Sequence, residues 1–335
     1  MRITAPMIAF LGGWLAFTGA TQAVAQQKTW LSKAAKSGDP LAEYNLGVMY
    51  YRGMGVPRDP VEALKWFDKA AAHGLAQAQF NAALLYETGF GVPQNFGKAF
   101  DLYREAARSG YAPAQTNLGG MYEKGEGVAR DLAAALEWFN RSARQGYAMG
   151  QYDLGVMYFH GTGVPQDFAK ASEWLQLAAK QGLAKAQTIL GALYRVGWGV
   201  PRDAHTAVMW LQKAAEQGDA TAENELGIFY FNGQGVTADE SVAAAWFAKA
   251  AEQGDYNAQA NLAWLYQQGR GVARDLDRAY MWRLLSLKGS DPEQSAELRD
   301  LAGAMSKSEI ADAEHRASEW LRVHKSIQRK ASEGE

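Results

Sequence analysis

A Gly-x-Gly-Val element begins at Gly53, Gly89, Gly125, Gly161, Gly197, Gly233 and Gly269, 36 residues apart each time, with no insertion or deletion. Other positions keep the same phase. Tyr50 returns as Tyr86, Tyr122, Tyr158, Tyr194, Tyr230 and Tyr266. Trp66 returns as Leu102, Trp138, Trp174, Trp210, Trp246 and Trp282, and Ala63 as Ala99, Ala135, Ala171, Ala207, Ala243 and Ala279. A fixed period of this length confines the chain to a repeat architecture, in which each unit buries its faces only against its neighbours.

Each unit reads as two helices. In the first copy, Ala42, Leu46, Met49 and Tyr50 make one apolar stripe at helical spacing. Gly53 suits the left-handed position that ends a helix, and Pro57 prevents continuation. Asp59 is an N-cap for the second helix, with Pro60 in its first turn and Glu62 at the third position. The cap recurs as Asn95, Asp131, Asp167, Asp203, Asp239 and Asp275. The second helix carries Ala63, Trp66, Phe67, Ala70 and Ala71 and stops at Gly74. Small residues such as Ala42, Gly47 and Ala63 allow close helix approach, and the Tyr50 and Trp66 columns are expected to fill the space between neighbouring pairs.

The ends depart from the repeat. Residues 1–25 read as a cleaved signal peptide: Arg2, an apolar run from Ile8 to Phe17, and Ala23-Val24-Ala25 before Gln26. The run is too short for a retained membrane span. Residues 26–38, around Trp30, match only the second helix of a unit and read as a half-repeat. Seven repeats fill 39–290, although Ser290 stands where Gly is due. Residues 291–323 read as two capping helices, Glu293 to Met305 and Glu309 to Val323, the second opened by a Ser306/Glu309 capping box. Residues 324–335 read as a flexible tail. A net charge of −2 gives no basic surplus for nucleic acid. The absence of cysteine rules out disulfides and thiolate chemistry.

The stretch Ala114 to Asp131 nearly spells out Ala-Gln-x-Asn-Leu-Gly-x-Met-Tyr-x-x-Gly-x-Gly-Val-x-x-Asp. On this motif the chain resembles the Sel-one-like repeat proteins, relatives of the tetratricopeptide repeat, over about residues 28 to 323. The resemblance implies an all-α, right-handed solenoid of seven antiparallel helix pairs with capping helices at the ends. It also implies that the first helices line a concave face where protein or peptide partners bind. For an exported bacterial chain the resemblance implies an adaptor in envelope assembly, signalling regulation or host contact, with a periplasmic regulator restraining an envelope sensor protein as the alternative. An exported cysteine-rich branch brings in a further alternative, an enzyme acting on cell-wall peptides or β-lactams, but this chain lacks that branch's cysteines.

No catalytic constellation emerges from the residues. His73, His160, His205, His315 and His324 form no zinc-binding pair, and there is no nucleophile elbow or phosphate loop. The expectation is therefore a non-enzyme without cofactor or metal. Removing the packing columns from the first helix leaves one side, formed by Tyr44, Asn45, Val48, Tyr51 and Arg52. Later copies give Phe80 and Asn81; Asn117 and Lys124; Tyr152, Asp153 and Phe159; Arg195; Asn224 and Phe231; and Asn261 and Trp264. These positions are expected to face away from the core. Aromatic anchors beside amides suit a peptide or protein ligand. The loop tips Met54, Phe90 and Trp198 offer a second candidate surface.

Overall fold

The computed structural model describes residues 31–287 and 295–333, with side chains to His324. The expected signal peptide, its cleavage point, Trp30, and Ser290 to Glu293 lie outside the described residues. The described residues contain helices and turns and no strand. Helix α1 covers 31–36 within them. Seven helix pairs follow: α2 (Pro40–Arg52) and α3 (Pro60–Ala72), α4 (Ala76–Thr88) and α5 (Phe96–Arg108), α6 (Ala112–Lys124) and α7 (Leu132–Arg144), α8 (Ala148–His160) and α9 (Phe168–Lys180), α10 (Ala184–Val196) and α11 (Ala204–Ala215), α12 (Ala220–Asn232) and α13 (Glu240–Glu252), α14 (Tyr256–Gln268) and α15 (Leu276–Ser286). Two more, α16 (Ala296–Gly303) and α17 (Lys307–Glu333), close the chain. Within each unit, consecutive helices pack on one another, which makes the fold an α-solenoid of helix pairs. The contacts divide it into two compact units, one through Ala178 and one from Ala179.

Local chemistry sets the helix ends. Asp59 accepts from the Glu62 amide, Asn95 from Lys98, Asp131 from Ala133 and Ala134, and Asp167 from Lys170. Asp203, Asp239 and Asp275 cap in the same way. Gly53 ends α2 at φ 72°, and the amide after it, Met54 N–H, donates back to the Met49 carbonyl. The second glycine of each element has a different task. A Cβ on Gly127 would lie 2.3 Å from the Phe96 carbonyl oxygen, so this turn rests directly on the backbone that opens the preceding second helix. Gly271 meets the Glu240 carbonyl in the same manner, at 2.1 Å.

The tryptophan column packs against the core, as expected, but is not its most deeply buried part. Trp210 and Trp282 are buried, whereas Trp66, Trp138, Trp174 and Trp246 are half-buried and pack on the core from its edge. The following position is the sealed one: Phe67, Tyr103, Phe139, Leu175, Leu211 and Phe247 are all at most 3 % exposed. The first helix makes room for it. A Cβ on Gly47 would lie 2.6 Å from the Phe67 ring, and Gly119 stands equally close to Phe139, at 2.7 Å. Three of the half-buried indoles lie beneath a basic residue three positions on: Lys69 on Trp66 at 4.1 Å, Arg141 on Trp138 at 4.6 Å and Lys249 on Trp246 at 4.0 Å.

A buried amide column joins one pair to the next. The side chains of Gln79, Gln115, Gln151, Gln187 and Gln259 donate to the carbonyls of Ala71, Ala107, Ala143, Ala179 and Ala251, each at the end of the preceding second helix. Each amide thus gives a second donor to a C-terminal helix carbonyl that also accepts from the glycine ending the helix, as Ala71 does from the Gly74 amide. Glu43 and Glu223 hold this position in the other two copies.

The C-terminal helices pack on the last repeat. Ser306 and Glu309 form the expected reciprocal capping box, at 2.7 and 3.3 Å. Trp320 stands edge-on to Trp282 at 6.0 Å and donates its indole N–H to Glu252 at 3.0 Å. The His324 ring stacks on Trp320 and also bonds the Glu252 carbonyl. Helix α17 runs past His324 to Glu333. No Gly or Pro occurs between His324 and Glu333, so nothing in the local sequence stops the helix. Trp320→Ala is expected to cost about 1–2 kcal/mol. Hydrogen exchange should then speed up in α15 and α17 and leave α10 unchanged; uniform exchange across the second unit would contradict this docking.

Candidate functional site

The first-helix positions singled out in the sequence fall into three groups. Asn45, Arg52 and Lys124 are exposed, with Lys124 paired to Glu126 at 3.5 Å. Tyr44, Tyr51, Asn117, Tyr152, Asp153, Phe159, Arg195, Phe231 and Asn261 are half-buried, and Trp264 is 41 % exposed. Phe80, Asn81 and Asn224 correct the expectation, because they are buried at 4 %, 7 % and 5 % exposure. Phe80 and Asn224 share a column that lies against the next pair instead of facing outward. Phe80 sits between Tyr103 and Tyr111, at 5.6 and 5.5 Å, and Asn224 accepts a hydrogen bond from Asn261 on α14 at 3.0 Å.

In the first unit this face is polar and phenolic. Tyr103 donates to Glu87 at 2.6 Å and accepts from the Asn117 amide at 2.8 Å, so the three form one chain from α5 to α6. Burial pushes the Glu87 carboxyl above its usual range, against the opposing pull of the Tyr103 hydrogen bond. Burial also raises Tyr44 and Tyr147, and pushes Tyr111 up to about 12, so these phenols remain neutral hydrogen-bonding groups. Near the loop tips, Tyr51 stands edge-on to Phe90 at 6.1 Å, and Arg58 lies over Phe90 at 4.6 Å. Phe159 contacts Phe168 at 5.6 Å.

In the second unit the same face carries a cavity of about 350 Å³, lined by Ile228, Phe231, Asn232, Phe247, Asn261, Trp264 and Leu265. Three of the residues selected from the sequence meet here: Phe231, Asn261 and Trp264. The Phe231 and Trp264 rings meet edge to face at 5.7 Å. Arg270 lies 4.5 Å from the Phe231 ring centre and 5.2 Å from that of Trp264, and it pairs with Glu240. One repeat earlier, Arg195 and Glu225 form an ion pair at 3.3 Å. Burial raises the Glu225 carboxyl, and the Arg195 charge opposes the shift.

The buried glutamine column is a feature that reading for surface positions missed. Its signal was an amide at one phase in five copies. Glu223 departs from it: burial pushes its carboxyl above the usual range, while the Gln253 amide at 2.7 Å and Lys249 pull it down. Glu223→Gln should add a second donor to the Ala215 carbonyl, which already accepts from the Gly218 amide at 2.9 Å, and remove a buried carboxylate, stabilising the protein by about 1 kcal/mol at neutral pH. A raised native pKa means that ionisation opposes folding. The parent therefore loses stability as pH rises from the ordinary carboxylate value through the raised one, and the glutamine variant does not. Denaturation midpoints of the two proteins should converge on acidification; a gap that widens at low pH would contradict the assignment.

Among the described residues no three His, Asp or Glu side chains are grouped to hold a metal ion, and no helix is long and apolar enough to cross a membrane. By sequence, the chain matches the Sel1 repeat over residues 28–39, 40–75, 76–111, 112–147, 148–183, 184–219, 220–255 and 257–282. Among solved structures it is similar to c5321, described as a protective antigen present in uropathogenic Escherichia coli strains and displaying an SLR fold. That match has 32% identity and a TM-score of 0.63, covering 91% of this chain and 73% of that one. It is also similar to a Sel1 repeat protein from Oxalobacter formigenes, at 33% identity and a TM-score of 0.66, covering 84% of this chain and 82% of that one. No curated protein matches.

Proposed function

The chain belongs to the Sel1 repeat family, and on that premise we propose that it is an exported scaffold holding a protein or peptide partner on its first-helix face. Sel1 solenoids are commonly protein-interaction scaffolds, and this chain's surface is built accordingly. The observation that carries the reading is the cavity on that face, where Phe231, Asn261 and Trp264 bring two aromatic walls and an amide together. Large aromatics in a partly desolvated recess are the usual anchors of protein interfaces. Copy-to-copy variation supports a heterogeneous ligand: the packing columns repeat, whereas Trp264 stands in a column otherwise held by Val48, Leu84, Gly120, Val156, Ala192 and Ile228.

Export rests on the Arg2, Ile8 to Phe17 and Ala23-Val24-Ala25 pattern. N-terminal sequencing of protein recovered from the cell envelope or medium should begin at Gln26; an uncleaved cytoplasmic product would refute export. The binding reading is tested by affinity capture from envelope extract. The parent is expected to recover a partner that a variant carrying Asn45→Ala, Phe231→Ala and Trp264→Ala loses while its helical circular dichroism is retained. A partner held equally by both would move the site off this face, and recovery by neither would remove the scaffold reading.

A further inference from the structure

We propose that the cavity between α12 and α14 takes one uncharged apolar side chain, aliphatic or aromatic, from an extended segment of the partner. This rests on the scaffold reading and adds to it the chemistry of the anchor.

The repeat supplies its own comparison. At the corresponding place between α10 and α12, the positions equivalent to Phe231 and Asn261 are Arg195 and Glu225, which form an ion pair at 3.3 Å. Between α4 and α6 the equivalents are Glu87 and Asn117, and the Tyr103 hydroxyl bridges them at 2.6 and 2.8 Å. Between α12 and α14 the first of these positions is apolar, Phe231, so that pair makes no polar bond. Asn261 bonds Asn224 on α12 instead, at 3.0 Å, and the cavity is lined by Phe231 and Trp264, whose rings touch edge to face. Trp264 stands in a column otherwise occupied by Val48, Leu84, Gly120, Val156, Ala192 and Ile228. A tryptophan left 41 % exposed there extends the wall of the recess without filling it.

The charge balance selects the guest. The cavity lining contains amides and hydrocarbon and no ionisable group. The nearest cation, Arg270, already covers both rings and is neutralised by Glu240. A cationic guest would be repelled by Arg270 and would find its aromatic partner taken. A carboxylate would lose water with no free counter-charge to replace it. An apolar group loses nothing of the kind and gains dispersion contacts with the Phe231, Phe247 and Leu265 side chains. The amides of Asn232 and Asn261 at the rim are placed to bond the main chain beside such a residue.

The test uses the full-length chain and four small probes: the N-acetyl amides of phenylalanine, leucine, lysine and glutamate. Saturation-transfer NMR at millimolar probe concentration is expected to show binding of the phenylalanine and leucine amides. Binding should fall about tenfold in Trp264→Ala and in Phe231→Ala, each removing one wall. The lysine and glutamate amides should show none. Circular dichroism and the denaturation midpoint of each variant establish that it folds, and Trp198→Ala, an exposed tryptophan elsewhere, should bind as the parent does. Equal transfer to the charged probes, silence from both apolar probes, or apolar binding indifferent to Trp264 would each overturn the proposal. The two readings separate in the capture experiment. A partner lost from Trp264→Ala alone supports both, whereas a partner retained by Trp264→Ala but lost with Asn45→Ala overturns the pocket and leaves the scaffold standing.

Discussion

Gly127→Ala is expected to destabilise the protein by about 2–5 kcal/mol, one of the largest effects of a single methyl group anywhere in the chain. Two costs combine. At φ 72° an alanine is held in the left-handed region, which costs roughly 1–2 kcal/mol. Its Cβ would also lie 2.3 Å from the Phe96 carbonyl oxygen and 2.6 Å from the carbonyl carbon. That neighbour is backbone at the start of α5 and cannot rotate away, so the turn and the helix must part, and overpacking adds about 1–3 kcal/mol. Gly110→Ala separates the two terms: Gly110 has φ 93° and nothing within 4 Å of the added methyl. It should cost only the conformational part, about 1 kcal/mol. Urea denaturation of the two variants decides the matter; equal losses would mean that the turn yields and that the close approach carries no energy.

Phe139→Ala should cost about 3–5 kcal/mol, and the larger neighbouring ring, Trp138→Ala, only about 1–2 kcal/mol. Phe139 is 2 % exposed and lies against the bare backbone of Gly119, so deleting its ring opens a cavity with no side chain able to collapse into it. Trp138 is half-buried beneath Arg141, whose guanidinium lies 4.6 Å from the ring, and its loss is partly made good by water. Thermal or urea unfolding of the two variants gives the order directly. If Trp138→Ala proved the more damaging, the tryptophan column and not the phenylalanine column would be the core.

That inversion shows where one-dimensional reading stops. The tryptophan column is conspicuous in the sequence because tryptophan is rare and large, and it suggests a packing role. Burial, however, depends on which side of the second helix meets the small residue of the first. Gly47 and Gly119 face the position after the tryptophan, and only the crossing of the two helices fixes that choice. The candidate site divides in the same way. Helical spacing puts Asn261 and Trp264 on one side of α14, a property of a single helix, whereas their meeting with Phe231 of α12 comes from packing of two copies. It wrongly placed Phe80, Asn81 and Asn224 outside, because burial depends on residues of other helices and turns, such as Tyr103 and Tyr111 around Phe80 and Asn261 on Asn224.

The sequence by itself determined the repeat, the ends of its helices and the turns between them. Each of these is local: an Asp or Asn side chain reaches an amide two or three residues on, and a glycine adopts a positive φ within its own turn. The tertiary structure alone decided which side chains seal the core, that the buried glutamines join each pair to the next, and where a cavity opens. Those outcomes depend on contacts between different helices, such as Gln79 with the Ala71 carbonyl, Gly47 with Phe67, Arg195 with Glu225 and Asn224 with Asn261. Whether an outward position is filled by an ion pair or left as a recess depends on two copies of the repeat at once, and no single copy records it.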